Sequence, residues 1–364
     1  MRIEDIDKNF AAATFSRDDV QFYDVRKEPF RIYGLYEPKT EPVFRRMPAS
    51  VAEKVSPGVK GLALHTSGGR VRFKTNSPFL AIRAEMPPVS PMSHMPLTGQ
   101  ASFTVYFNKD GRSIYYRTFK PDAGKLFRGE GITGFIDFCD IPDEDMRDIT
   151  IYFPLYAAVN SLFIGVQEDA VLLPGDTYKK EKPVVFYGSS ITQGGCASHS
   201  GNSYQGFLSR RFDTDFINLG FSGSAKAEDA MIEYVAGLDM SIFVYDYDHN
   251  APDITHLKNT HEKMFRAVRK AHPDVPVIIT SAPNFDTNRA DRAPRRAVIF
   301  ETYKNALSEG DHNVYFVDGE RLFGGNCRDG CTVDGCHPND LGFYRMAEAF
   351  GATMEIIYSL AGCR

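Results

Sequence analysis

The hydrophobic pattern of this chain changes period once, across residues 173–183, and that change limits the fold more than any other feature. Before it, short apolar runs alternate with charged or polar positions. After it, brief apolar runs alternate with stretches of helical spacing. One sheet or one helical bundle cannot satisfy both patterns. Two domains are therefore expected, which 364 residues allow at roughly 100–200 residues per domain.

The first part reads as strands. Arg70-Val71-Arg72-Phe73-Lys74 alternates charged and apolar side chains, the spacing of a half-buried strand. The run over 79–84 puts Leu80, Ile82 and Ala84 on one face. Phe103-Thr104-Val105-Tyr106-Phe107, the turn Asn108-Lys109-Asp110-Gly111 and then Ile114-Tyr115-Tyr116 predict a hairpin with positive φ at the glycine. Runs over 148–153 and 162–166 add two more strands, and an aromatic content of 13% suits strand-rich structure. Residues 1–174 are thus expected to form an all-β sandwich or jelly roll, with 175–183 as a polar linker.

From residue 184 the elements alternate. Val184-Val185-Phe186-Tyr187 reads as a buried parallel strand. Strands over 216–219, 241–245, 277–280 and 314–317 are interleaved with helices over 203–212, 227–238, 256–272, 292–308 and 341–360. Residues 184–364 are therefore expected to form a doubly wound parallel α/β sheet.

Charge and composition remove several function classes. With 42 basic against 47 acidic residues, the net charge of -5 speaks against a nucleic-acid partner. No apolar run approaches the roughly 18 residues that span a bilayer, so no membrane partner is expected. The charged start Met1-Arg2-Ile3-Glu4-Asp5 lacks the apolar stretch of a leader peptide. Six cysteines in so long a chain suit reduced thiols and a cytoplasmic setting.

In a doubly wound sheet, ligands bind beyond the carboxyl ends of the strands, so the turns there are where chemistry is expected. Gly188-Ser189-Ser190-Ile191-Thr192-Gln193-Gly194 follows the first strand and offers a hydroxyl, but lacks the Lys-Ser/Thr close of a phosphate-binding loop. A serine nucleophile needs a base, and the base needs an orienting group. Asp334 and His337 lie three apart in the last such turn, where a carboxylate can hold the imidazole of its own loop. Gly223 and Asn250, in the turns after the second and third strands, are suitable donors to an oxyanion.

These four blocks, in this order, resemble the SGNH (GDSL-like) hydrolase superfamily. The resemblance implies a flavodoxin-like catalytic domain over 184–364, with Ser190 as nucleophile, His337 as general base and Asp334 as its partner. It further implies an oxyanion hole built from Ser190, Gly223 and Asn250. Ser189 stands where the family usually has Asp, and the third block reads Asp248-His249-Asn250 instead of Gly-x-Asn-Asp. The first half resembles the β-rich domain that precedes this fold in one bacterial esterase branch, through His94-Met95-Pro96-Leu97-Thr98-Gly99 and residues 153–162. That branch has Gly-Phe-Asp-Leu-Tyr where this chain has Ser102-Phe103-Thr104-Val105-Tyr106. The implied activity is hydrolysis of short acyl esters, acetyl on a carbohydrate first, with no cofactor and no metal. A lipid-directed esterase and a non-catalytic carbohydrate-binding protein are the alternatives. A small-molecule ester or acetylated carbohydrate is the expected partner, with a second copy of the chain left open.

Other residues carry weaker signals. Gly220-Phe221-Ser222-Gly223-Ser224 falls one residue short of a nucleophile elbow, which belongs to another fold. Cys327, Cys331 and Cys336 miss paired zinc-ligand spacing and are expected to be small buried thiols. Cys196 has no base beside it in sequence. The loop 86–96, with His94 and Met95, is a surface connector, or it reaches the catalytic mouth, where both would line the substrate, or a partner subunit. His249 is structural or substrate-lining. His199 is expected to be exposed, and Arg289, Arg292, Arg295 and Arg296 to form a solvated basic face.

Overall fold

A computed structural model describes residues 17–138, 146–283 and 286–362 of the chain. The charged start Met1-Arg2-Ile3, on which the leader expectation rests, lies outside them. Two compact units result. One holds the described residues of Met1–Arg45 with Leu64–Thr177 and Ser198–Gly201; the other holds Arg46–Ala63, Tyr178–Ala197 and Asn202–Arg364.

Among its described residues the first unit has ten strands, all paired antiparallel. They are β1 Val20–Asp24, β2 Arg31–Tyr33, β3 Arg70–Thr75, β4 Phe79–Glu85, β5 Thr104–Lys109, β6 Arg112–Thr118, β7 Ile132–Asp137, β8 Arg147–Tyr152, β9 Ser161–Gln167 and β10 Leu172–Pro174. One sheet runs β1-β9-β4-β7 and the other β10-β3-β8-β5-β6, with β2 paired to β3. Leu80 and Ile82 of the first sheet share one core with Val71, Phe73, Ile149 and Ile151 of the second, the sandwich expected of alternating strands. The β5–β6 hairpin turns at Asp110 and Gly111, both with positive φ (52° and 73°), so the turn twists with its strands. One expectation fails here: β3 is not half-buried. Arg70 and Arg72 are both buried, with Arg72 Nη2 4.0 Å from Asp148 on β8, so this strand is covered on its charged face too.

Among its described residues the second unit has five parallel strands: β11 Lys180–Gly188, β12 Thr214–Gly220, β13 Ile242–Asp246, β14 Val277–Thr280 and β15 Val314–Val317. Their order is β12-β11-β13-β14-β15, the flavodoxin-like arrangement. Alternation along β11 assigns its two faces. Phe186 meets Tyr204 of helix Tyr204–Phe212, and that ring stacks in turn on Phe343 and Phe350 of helix Asp340–Gly362. Tyr187 points the other way, into a core shared with helices Asp229–Ala236, Ile254–Ala271 and Arg289–Ser308. Helix Ile254–Ala271 shows why the sequence folds so. Leu257, His261, Met264, Phe265 and Val268 recur on one buried face, and Asp253 caps the helix by accepting the His256 N–H at 2.7 Å.

The units depart from the expected division at 174 and 184, and Ser198–Gly201 belongs to the first of them. Residues 175–183 are partly strand, since β10 ends at Pro174 and β11 begins at Lys180. Residues 46–63, expected within the strand-rich part, instead form helices Ala49–Val55 and Pro57–Leu62 of the α/β unit. Met47, Ala52, Val55, Val59 and Ala63 complete its core. Ser56 with Pro57 is the signal that marks the second helix: Ser56 Oγ accepts the Val59 N–H at 3.2 Å and proline sits in the first turn. No helix among the described residues is long and apolar enough to cross a membrane.

Candidate active site

β12 and β13 flank β11 on opposite sides, so the chain reverses direction across the sheet at the carboxyl end of β11, where a crevice opens. The loop leaving β11 is very tightly packed. A Cβ on Gly188 would lie 1.9 Å from the Asp246 carbonyl oxygen and 2.1 Å from Thr192 Oγ1, so only glycine fits. Ser189 N–H donates to that same carbonyl at 3.2 Å, and Ser189 Oγ caps the short helix Ser190–Gln193 by accepting the Ile191 N–H at 3.2 Å. A serine thus supplies a cap where the family carries aspartate. Ser190 occupies the first position of that helix and is 8% exposed.

Ser190 Oγ lies 2.9 Å from His337 Nε2, and His337 Nδ1 lies 2.7 Å from Asp334 Oδ2. The loop that carries both partners is closed by a bridge between Thr332 and Pro338 and turned by Gly335 at φ 81°. Asp334 Oδ1 accepts the His337 N–H at 2.7 Å and the Cys336 N–H at 2.9 Å, so the carboxylate braces the loop and the ring at once. Burial pushes the Asp334 pKa up, but the bonds from His337 and Cys336 outweigh it and hold it down at about 2. An ionised carboxylate on Nδ1–H leaves Nε2 as the acceptor toward the Ser190 hydroxyl. Such an arrangement can take a proton from the serine and stabilise the imidazolium that results.

Gly223 and Asn250, the further donors expected, both lie in this unit. Gly223 sits exposed in the loop after β12 at φ +66°, with open space where a Cβ would be. Asn250 Oδ1 accepts the Ala225 N–H at 3.2 Å, which ties the Asn250 side chain to that loop. The Ser222 N–H donates to Gln193 Oε1 at 3.0 Å as part of the loop scaffold.

His249 Nδ1 stands 4.0 Å from Cys336 Sγ. Burial, with the positive charges of Arg292 and Arg295 adding to it, pushes the His249 pKa well below its usual value, which keeps it neutral. Burial lifts the Cys196 thiol to about 12, with Asp334 and Cys336 contributing, so it is a poor nucleophile. Two expectations about thiols and cations need correction. Cys327 is exposed, while Cys331 is buried with Arg345 Nη1 3.5 Å from its sulfur, a cation that opposes a metal at that atom. The arginine cluster is not a solvated face throughout. Arg295 is buried and donates to the carbonyls of Asp248 and Ala251 at 2.9 and 3.0 Å, bracing the Asn250 turn.

His94 and Met95 lie in the first unit, Met95 buried and His94 half-buried, on the loop that precedes helix Leu97–Gln100. His199 also belongs there, stacked on Tyr115 at 4.8 Å and half-buried instead of exposed, because the Ser198–Gly201 segment is part of that unit. The sequence reading missed Arg46 and Asn218, which hold the loop after β12. Asn-Leu-Gly at the end of a predicted strand was the available signal for the second; nothing local marked the first.

Residues 181–355 match the family model of GDSL-like lipases and acylhydrolases, and residues 20–172 match that of the N-terminus of SGNH-hydrolase-type esterases. Among solved structures, the chain is similar to a Bacteroides ovatus protein assigned as a GDSL-like lipase, at 27% identity and TM-score 0.82, covering 93% of this chain and 98% of that one. It shares its fold with SsfX3, a salicylyl-acyltransferase from a tetracycline biosynthetic pathway, at 19% identity and TM-score 0.73, covering 94% and 98%. A family two carbohydrate esterase from Clostridium thermocellum, in complex with cellohexaose, shares it at 15% identity and TM-score 0.56, covering 81% and 94%. No protein of curated function matches the chain.

Proposed function

From the match of residues 181–355 to the model of GDSL-like lipases and acylhydrolases, we propose that the chain is a serine esterase of short acyl esters, acetyl on a carbohydrate first. The observation that carries the reading is the hydrogen-bonded line Ser190–His337–Asp334 at the mouth of the sheet, with spacings of 2.9 and 2.7 Å. Ser190 Oγ attacks the ester carbonyl carbon while its proton passes to His337 Nε2. Asp334 stabilises the imidazolium. The N–H groups of Ser190 and Gly223 and the Asn250 amide hold the oxyanion. Collapse breaks the bond to the alcohol, which leaves with the proton from His337. Water then gives a proton to the same nitrogen, attacks the acyl-enzyme and releases the acid, restoring Ser190.

His249 is assigned to the site from its place beside Cys336, whose sulfur lies 4.0 Å from its Nδ1. Fold-level likeness to carbohydrate esterases supports a sugar as the alcohol. The test is acetate release from acetylated oligosaccharides compared with fatty-acid release from lysophospholipid and from octanoyl esters. Preference for acetyl substrates supports the reading; turnover confined to long acyl chains or phospholipid overturns the substrate clause and favours a lipid-directed esterase.

A further inference from the structure

The loop that carries Gly223 is gripped by a residue from a distant part of the chain. Arg46 is 1% exposed and lies in the same compact unit as that loop, 174 residues before Gly220. Its Nη1 donates to the Gly220 carbonyl at 2.6 Å and the Asn218 carbonyl at 3.1 Å, and its Nη2 donates to the Leu62 carbonyl at 2.7 Å. The guanidinium carbon stands 4.6 Å over the Phe221 ring. Arg46 therefore holds the chain on both sides of the Gly220–Phe221 peptide.

The turn after Phe221 is built on that grip. Phe221 N–H donates to the Gly188 carbonyl at 2.8 Å, and the Phe221 carbonyl accepts the N–H groups of Ser224 at 2.9 Å and Ala225 at 3.2 Å. The turn over 221–225 thus pivots on one residue, with Gly223 at its apex. Asn218 extends the brace to the serine side: its Oδ1 accepts the Gly220 N–H at 2.8 Å and its Nδ2 donates to the Thr192 carbonyl at 2.7 Å. A shift of Gly220 and Phe221 would move the Gly223 N–H relative to Ser190.

We infer that Arg46 is a positioning residue for the oxyanion site, setting the Gly223 amide through its hydrogen bonds to Gly220 and its contact with Phe221. The inference rests on the esterase reading above. It gives the segment 46–63 a part in turnover as well as in the core. A guanidinium suits the task because it is planar, offers a fork of donors to several carbonyls at once and stacks on an aromatic face. Lysine can replace the charge but not the fork.

The test compares full-length Arg46→Lys, Phe221→Leu and Ser190→Ala proteins with the native chain. The readouts are kcat and KM for p-nitrophenyl acetate, the rate of covalent labelling by a fluorophosphonate, and the folded fraction by near-ultraviolet circular dichroism. Misplaced oxyanion donors predict that Arg46→Lys loses about 10- to 100-fold in kcat per folded molecule, with KM within about twofold and slower labelling. Phe221→Leu should show the same split, more weakly. A purely structural role would lower the folded fraction or the melting temperature and leave kcat per folded molecule unchanged, and that result overturns the inference. If the native chain hydrolyses the ester, Ser190→Ala does not, and both loop variants keep native kcat, only the role of Arg46 fails. If the native chain neither turns over nor labels at Ser190, the esterase reading falls and this inference falls with it.

Discussion

Replacing Asp334 with asparagine separates the orienting role of this residue from its bracing role. The carboxylate accepts three hydrogen bonds: two backbone N–H groups reach Oδ1, at 2.7 and 2.9 Å, and His337 Nδ1 reaches Oδ2 at 2.7 Å. Asparagine can keep its carbonyl oxygen on the two backbone donors, so the loop is expected to hold. Its NH2 then faces His337 Nδ1 and favours the tautomer with the proton on Nε2, where the ring can no longer accept from Ser190. Loss of the tautomer in a serine triad costs about 10⁴-fold in kcat, or about 5 kcal/mol of barrier. The assay is kcat and KM on p-nitrophenyl acetate with a thermal melt alongside. The expected result is a fall in kcat of about 10³- to 10⁴-fold at a melting temperature within a few degrees of native. Since Asp334 titrates at about 2, the native enzyme should show no loss of activity from this group at any pH above about 4. A folded Asp334→Asn protein retaining more than about a tenth of native kcat would refute the assigned role.

Two further outcomes are expected from the geometry. Asn250→Ala removes an oxyanion donor and the acceptor of the Ala225 N–H, so kcat should drop by about 10²- to 10³-fold with little change in KM; steady-state kinetics on the same ester checks it. His261 is buried, stacks on Tyr245 at 4.5 Å and bonds to Thr302, and burial pushes its pKa down to about 3. The unfolded chain takes up a proton at this histidine below about 6.5 while the folded chain does not, so stability should fall as pH drops from 6.5 toward 3. Urea unfolding at several pH values should show a shallower fall for His261→Gln, and an unchanged slope would contradict the assignment.

Much of the α/β unit was legible because its signals are local. The strands over 277–280 and 314–317 have the bounds expected of them, and the helix over 254–271 carries its apolar residues at helical spacing. Ser190, Asp334 and His337 were legible because each follows a strand at the carboxyl edge, where topology brings distant turns together. What escaped depends on long-range packing. Arg46 reads as one more charged residue until the β12 loop is seen to close on it. Helices 49–55 and 57–62 sit between strands in sequence but in the α/β unit in space, and no boundary rule anticipates such a crossing. Arg70 and Arg72 alternate with apolar residues as solvent-facing side chains would, yet both are buried. Arg295 looks like Arg289 in sequence, yet it is buried on the Asp248 and Ala251 carbonyls while Arg289 is exposed.

The central claim is that Ser190, activated by His337, is the nucleophile of an ester hydrolase. Hydrolysis of p-nitrophenyl acetate by the native chain and by Ser190→Ala, each verified as folded, tests it most directly. The account predicts turnover by the native chain, a burst of p-nitrophenol if deacylation is the slower step, and a loss of at least about 10³-fold in the variant. A folded Ser190→Ala protein with undiminished turnover would contradict it.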